Sequence, residues 1–182
     1  YKPAIFGVIA VIALIFGIKD YYEQSKIKTV LSMTVVNSMA NDTETPEQKI
    51  KETLGYKDDP YSKVEIGVNL TTDSEMAEFD YNAQIAYMAQ IQAGSIDIMV
   101  MPEKLYQTLK KNEPFADLKE LMGEEAFEKF GMQTDTTHIS ITDSELEQEL
   151  GVIYDPVCIA VPYSAPNQEN AVKWIKSLDS RK

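Results

Sequence analysis

The sequence of 182 residues holds one cysteine, Cys158, and one histidine, His138. A single thiol excludes an internal disulfide framework and with it the small disulfide-stapled class of domain. A single imidazole makes any Ser-His-Asp triad depend on His138, which lies in the stretch His138-Ile139-Ser140-Ile141-Thr142 without a neighbouring Gly-x-Ser-x-Gly turn to expose a nucleophile. Cys158 sits inside the apolar stretch from Val157 to Val161, where a free thiol acts as a small hydrophobe. Neither glycine pattern that cradles nucleotide phosphates, G-x-x-x-x-G-K-[ST] or G-x-G-x-x-G, occurs. Basic residues are scarce too. With 17 Lys and Arg against 29 Asp and Glu the formal net charge is −12, the wrong sign for a nucleic-acid backbone, so no nucleic-acid partner is expected. The acidic runs from Asn41 to Glu44 and from Asp73 to Glu75 lack the glycine and the closing glutamate of a calcium-binding loop. They read as helix caps and loop charges. No catalytic residue, metal ligand or cofactor is expected on these grounds, and the chain reads as no enzyme.

Long apolar runs are rare, but one is present, from Pro3 to Ile18, and it carries no charge. Lys2, Lys19 and Asp20 bracket it, with Tyr1, Tyr21 and Tyr22 where interfacial aromatics belong. No small-residue cleavage pattern follows between Ile18 and Lys28, which speaks against a secretory signal peptide. The expectation is a single transmembrane anchor over 1–22 and lipid bilayer contact through the same residues. A juxtamembrane stalk over 23–28 and one α/β domain over 29–182 complete the organisation. The flanking charges do not fix the orientation.

From Thr29 onward β and α signals alternate. Thr29 to Asn37 is rich in β-branched residues and reads as a first strand, and Val64 to Leu70 alternates as a half-buried one. Thr45 as N-cap with Pro46 behind it predicts a helix start, with Ile50 and Leu54 inward and Gly55 at the end. Asp80 caps a helix whose spacing puts Ile85, Met88 and Ile91 on one face. Ile96 to Met101 is almost continuously apolar, as a central strand covered on both sides should be. A helix with Leu105 and Leu109 inward follows, then two short helical pieces and an edge strand from His138 to Thr142. A short helix to Leu150, a last strand from Val157 to Val161 and a last helix from Asn167 to Leu178 close the pattern. The fold class expected is α/β, one mainly parallel sheet flanked by helices.

Three segments carry a family likeness. Ala93, Gly94 and Asp97, then Phe115, Ala116, Asp117 and Leu118, lie in the stretch from Ala89 to Met122; Val161, Pro162, Ser164, Asn167 and Ala171 lie in the last strand and helix. In this order the segments resemble the first lobe of the extracellular solute-binding proteins of ABC importers, the type 2 periplasmic-binding fold. The resemblance implies an extracytoplasmic address at the cell membrane. It departs from the family between the two motifs, where only Gly123 to Gly151 stands in place of a second lobe. One lobe lacks the second rigid body that hinge closure around a ligand needs.

The function expected is therefore a non-enzymatic, membrane-anchored accessory or interaction subunit of a membrane complex of the transporter kind. The alternative is a tethered receptor for a small polar solute, its second lobe supplied by a partner. A ligand would then lie outside the carboxyl ends of the strands. Asn37, Ser38, Thr71, Thr72, Asp73, Tyr81 and Tyr163 are the polar and aromatic candidates there.

Overall fold

The structure is a computed structural model that describes residues 2–178, with side chains from Ile12 onward. The elements run α1 (Lys2–Gln24), β1 (Lys28–Val35), α2 (Glu44–Thr53), β2 (Ser62–Gly67), α3 (Tyr81–Gln92), β3 (Ile98–Pro102) and α4 (Glu103–Leu109), then α5 (Leu118–Met122), α6 (Glu124–Glu128), β4 (His138–Ile141), α7 (Ser144–Leu150), β5 (Val157–Ala160) and α8 (Gln168–Leu178). One sheet of order β2-β1-β3-β5-β4 joins the strands. β1 pairs in parallel with β2 and β3, but β5 runs antiparallel to both β3 and β4.

The sheet is therefore mixed, which corrects the expectation of mainly parallel pairing. The reason lies in the link between β4 and β5. A parallel return needs a crossover that carries the chain back along the sheet. Here α7 stays at the edge where β4 ends and docks on the loop after β1. The Ser38 hydroxyl donates to the Leu150 carbonyl at 2.7 Å, and the Met39 amide donates to the Gly151 carbonyl at 2.8 Å. Gly151 closes α7 at φ +64°, with the Ala40 amide nitrogen 2.5 Å from where a Cβ would sit. Only glycine combines a left-handed φ with so close an approach. β5 then starts where β4 stopped and must run back.

The expectation of a transmembrane helix is overturned as well: among the described residues no helix is long and apolar enough to cross a membrane. α1 runs from Lys2 to Gln24, and its apolar run gives way to Lys19 and Asp20. The side chains of 2–11, and all of residue 1 and of 179–182, lie outside the described residues, and part of the 1–22 assignment falls there.

Strand alternation sends side chains to two layers. On one face Leu31, Met33, Val35, Ile98, Val100, Ile139 and Ile159 pack under α2 and α8. On the other, Met99, Met101, Cys158 and Ala160 meet α3 and α4 through Tyr87, Leu105 and Tyr106. Buried Asp97 ties the two halves. Its carboxylate accepts from the Ser32 amide at 2.8 Å, the Asn167 amide at 2.8 Å and the Asn167 side-chain amide at 3.0 Å. The start of β3, the middle of β1 and the beginning of α8 are thus held by one side chain.

Helix starts and faces hold differently. Asp80 caps α3 as expected, accepting from the Ala83 amide at 2.9 Å. The buried face of α3 is Ala83 and Tyr87, however, while Ile85 and Met88 are half exposed. α2 begins at Glu44 behind Thr43, earlier than a Thr45 cap would allow, because Asp42 accepts from the Glu44 amide at 2.9 Å and fixes the turn first. In α8 the expected stripe of Ala171, Trp174, Ile175 and Leu178 is buried.

Two buried tyrosines predict an alkaline limit. Burial holds the phenols of Tyr87 and Tyr154 protonated well above the ordinary tyrosine range. The Tyr154 hydroxyl, moreover, donates to the Val36 carbonyl at 2.9 Å. The unfolded chain releases these protons near pH 10 and the folded chain does not. Their contribution is complete below about pH 10 and declines as the pH rises beyond it. Urea midpoints measured from about pH 8 to about pH 11 should fall above pH ~10. A flat profile contradicts the assignment.

Candidate functional site

A dense polar cluster forms where α4 meets β4 and β5. His138 and Ser140 alternate onto one face of β4, and in the antiparallel register Ser140 stands opposite Cys158 while His138 stands opposite Ala160. Met101 of β3 flanks Cys158 on the other side. Glu103 is the first residue of α4, directly after β3. Three segments far apart in sequence thus bring a carboxylate, an imidazole and a thiol to one point. Their ligand atoms all lie within 4.8 Å of one another.

The surroundings fix each group. His138 Nδ1 lies 2.7 Å from Asp135 Oδ1, which makes Nδ1 the protonated nitrogen in the neutral ring and leaves the Nε2 lone pair to the Thr134 hydroxyl at 3.4 Å, with Glu103 Oε2 at 3.5 Å. Tyr106, three residues after Glu103 on the same face of α4, stacks on the imidazole at 4.2 Å between ring centroids, interplanar angle 29°. Its hydroxyl donates to Asp135 at 2.9 Å. Asp135 also receives Lys110 Nζ at 3.0 Å and the Thr137 amide at 3.0 Å. Burial alone would raise the Asp135 carboxyl; the hydrogen bonds from His138 and Lys110 outweigh it and hold the group well below the usual carboxylate range. The Glu103 carboxylate accepts from Gln107 at 2.6 Å and from the Ser140 hydroxyl. Burial pushes the Cys158 thiol up, and the neighbouring Glu103 charge pushes it further. His138 and Cys158 are fully buried, whereas 29% of the Glu103 side chain is exposed, so solvent reaches the cluster from the Glu103 side.

The residues expected to bind a solute are placed otherwise. Asn37 and Thr72 come together, the Asn37 side-chain amide donating to the Thr72 hydroxyl at 2.7 Å and the Thr72 amide to Asn37 Oδ1 at 3.0 Å. Thr71 donates to Asp80, and Asp73 accepts from the Ala77 amide at 3.0 Å. Ser38 holds the end of α7, as described. These groups bond to one another and to nearby backbone. Tyr81 lies exposed at the start of α3. Tyr163 is exposed too, but it follows β5, whose antiparallel course puts it at the opposite edge of the sheet from Asn37 and Thr72. Tyr163 therefore stands apart from Asn37 and Thr72. A groove of about 760 Å³ lies elsewhere, lined by charged residues of α2 and β2 such as Glu44, Glu47 and Lys63.

Sequence reasoning missed the cluster at Glu103. Its separations along the chain match no local ligand spacing, and the expectation of parallel strands concealed that Cys158 faces β4. The alternation of His138 with Ser140 was the available signal.

A second exposed feature is α1. Leu14, Ile15, Phe16 and Ile18 are each between 60% and 64% exposed, and Ile12 is 47% exposed. The base of the helix is fixed to the domain, because the Tyr61 hydroxyl donates to Glu23 at 2.8 Å and Lys26 lies 5.3 Å from the Tyr61 ring centroid.

No protein-family model, curated protein or solved structure matches the chain. The likeness to solute-binding proteins rests on its motifs. Asp97 and Asn167 meet each other, and Asp117 caps α5 through the Glu120 amide at 2.8 Å. Those residues have structural work that needs no ligand.

Proposed function

We propose that the chain is a non-enzymatic accessory or interaction subunit of a membrane complex of the transporter kind, working on its extracytoplasmic side. α1 supplies the docking residues and the α/β domain a rigid surface. The observation that carries this reading is the exposure of Ile12, Leu14, Ile15, Phe16 and Ile18 around the whole helix, not along one stripe. A helix apolar all round belongs in an apolar environment. Taking each large side chain out of water contributes roughly 1.5–3 kcal/mol, so an apolar surface on an integral membrane partner gains several such increments. The acidic domain, with the chain at −12, has no tendency toward anionic lipid by itself.

Mild detergent extraction of the full chain tests the proposal. The natural sequence should retain an integral membrane partner in fixed stoichiometry. The double variant Ile15→Glu with Phe16→Glu should lose it while the circular dichroism of the domain stays unchanged. Equal behaviour of the two chains contradicts the docking role of α1.

A further inference from the structure

We propose that Glu103, His138 and Cys158 bind a transition-metal ion of the Zn²⁺ class, a property independent of the docking role of α1. Oxygen, nitrogen and sulfur donors together suit Zn²⁺ and its neighbours, and the sulfur and imidazole argue against Ca²⁺ or Mg²⁺. The geometry fits such an ion. Tetrahedral bonds of about 2.0–2.3 Å place donor atoms roughly 3.3–3.7 Å apart, and Glu103 Oε2 stands 3.5 Å from His138 Nε2. All three donor atoms lie within 4.8 Å, so closure asks for a shift of about 1 Å at most. Glu103, partly exposed at the first turn of α4, supplies it by turning away from the Gln107 amide and the Ser140 hydroxyl.

The surrounding hydrogen bonds orient the donors for an ion. With Nδ1–H bonded to Asp135, the Nε2 lone pair faces the Glu103 carboxylate at 3.5 Å and meets the Thr134 hydroxyl only at a long 3.4 Å, and a positive ion between the two acceptors would answer both. A second proton on the imidazole serves that pair alone. A cation serves the pair and the Cys158 sulfur together. Asp135 on Nδ1 is the outer carboxylate that commonly orients a metal-binding histidine, and Tyr106 holds the ring flat from one side. Three protein donors leave a tetrahedral ion one position short, on the Glu103 side where solvent enters. Binding displaces the Cys158 thiol proton to solvent, so affinity rises with pH.

Cobalt(II) added to the metal-stripped full chain is the probe. The expected result is one Co²⁺ per chain with the near-ultraviolet thiolate-to-cobalt charge-transfer band and the intense visible bands of tetrahedral coordination, displaced by Zn²⁺. Cys158→Ser abolishes the charge-transfer band. Because a core substitution in β5 can disturb folding, Glu103→Gln at the partly exposed helix start provides the second variant, and it weakens Co²⁺ binding at least tenfold with the circular dichroism unchanged. Binding without a charge-transfer band, weak octahedral spectra that Cys158→Ser leaves intact, or no stoichiometric binding at all each overturn the proposal.

Discussion

Trp174→Ala is expected to lower the stability of the domain by roughly 3–5 kcal/mol, the usual cost of removing a large aromatic from a packed core. Trp174 is 1% exposed and sits with Ala171, Ile175 and Leu178 on the face of α8 that covers the sheet. Polar anchors hold α8 besides the Asp97 bonds at its start. Asn170 donates to the Val30 carbonyl at 2.8 Å and Lys173 to the Leu54 carbonyl at 2.7 Å. Those bonds orient the helix against β1 and α2, but the apolar stripe supplies the burial. A domain's whole stability is about 5–15 kcal/mol, so the variant loses a large fraction of it and melts some 10 °C lower or more. Trp174→Phe is the informative partner. The indole N–H finds no acceptor among the described residues, so phenylalanine removes an unsatisfied donor along with some volume, and it should cost far less. Thermal melts followed by circular dichroism separate the two. Equal losses would show that α8 is not held by ring burial.

Asp97→Ala should cost about 3–4 kcal/mol by a different route. Three donors, two of them main-chain amides, lose a charged acceptor in a place water does not fill. Asp97→Asn keeps the shape but substitutes a donor for one acceptor oxygen, so one amide faces an N–H. It should recover only part of the loss. The check is the urea midpoint of each variant at unchanged denaturant slope. An asparagine as stable as the aspartate would contradict the role given to the carboxylate.

Asp97 also shows what could be read without coordinates. Its neighbours put it inside a third strand starting at Ile96, and β3 begins instead at Ile98, directly after it. Some caps and stops were legible, since they depend on the residues within one helical turn, though the Thr45 cap was displaced by the turn at Asp42. Asp80 before α3 and Gly151 after α7 needed nothing beyond their neighbours. The rotation of α3 was not legible. Ala83, Ile85, Ala86, Tyr87, Met88 and Ile91 give it apolar residues on more than one side, and only packing against Phe79 and the strands selects Tyr87 as the buried residue. Strand direction was not legible either. Nothing local to Val157 through Ala160 says which way the strand runs, because the direction depends on where α7 docks. The Glu103 cluster depends on that direction and was hidden with it. The exposed apolar stretch of α1 was plain in the sequence as an unbroken run of residues, though its reading as a membrane span did not survive.

The central claim is that this stretch docks on a protein. Photo-cross-linking from a photoreactive residue at position 16, in place of Phe16, tests it most directly in intact cells, with the same residue at the exposed position of Tyr81 as the reference. The account predicts one discrete protein adduct from position 16, containing an integral membrane partner, and none from position 81. Adducts to lipid alone from position 16, or no adduct there, would contradict it.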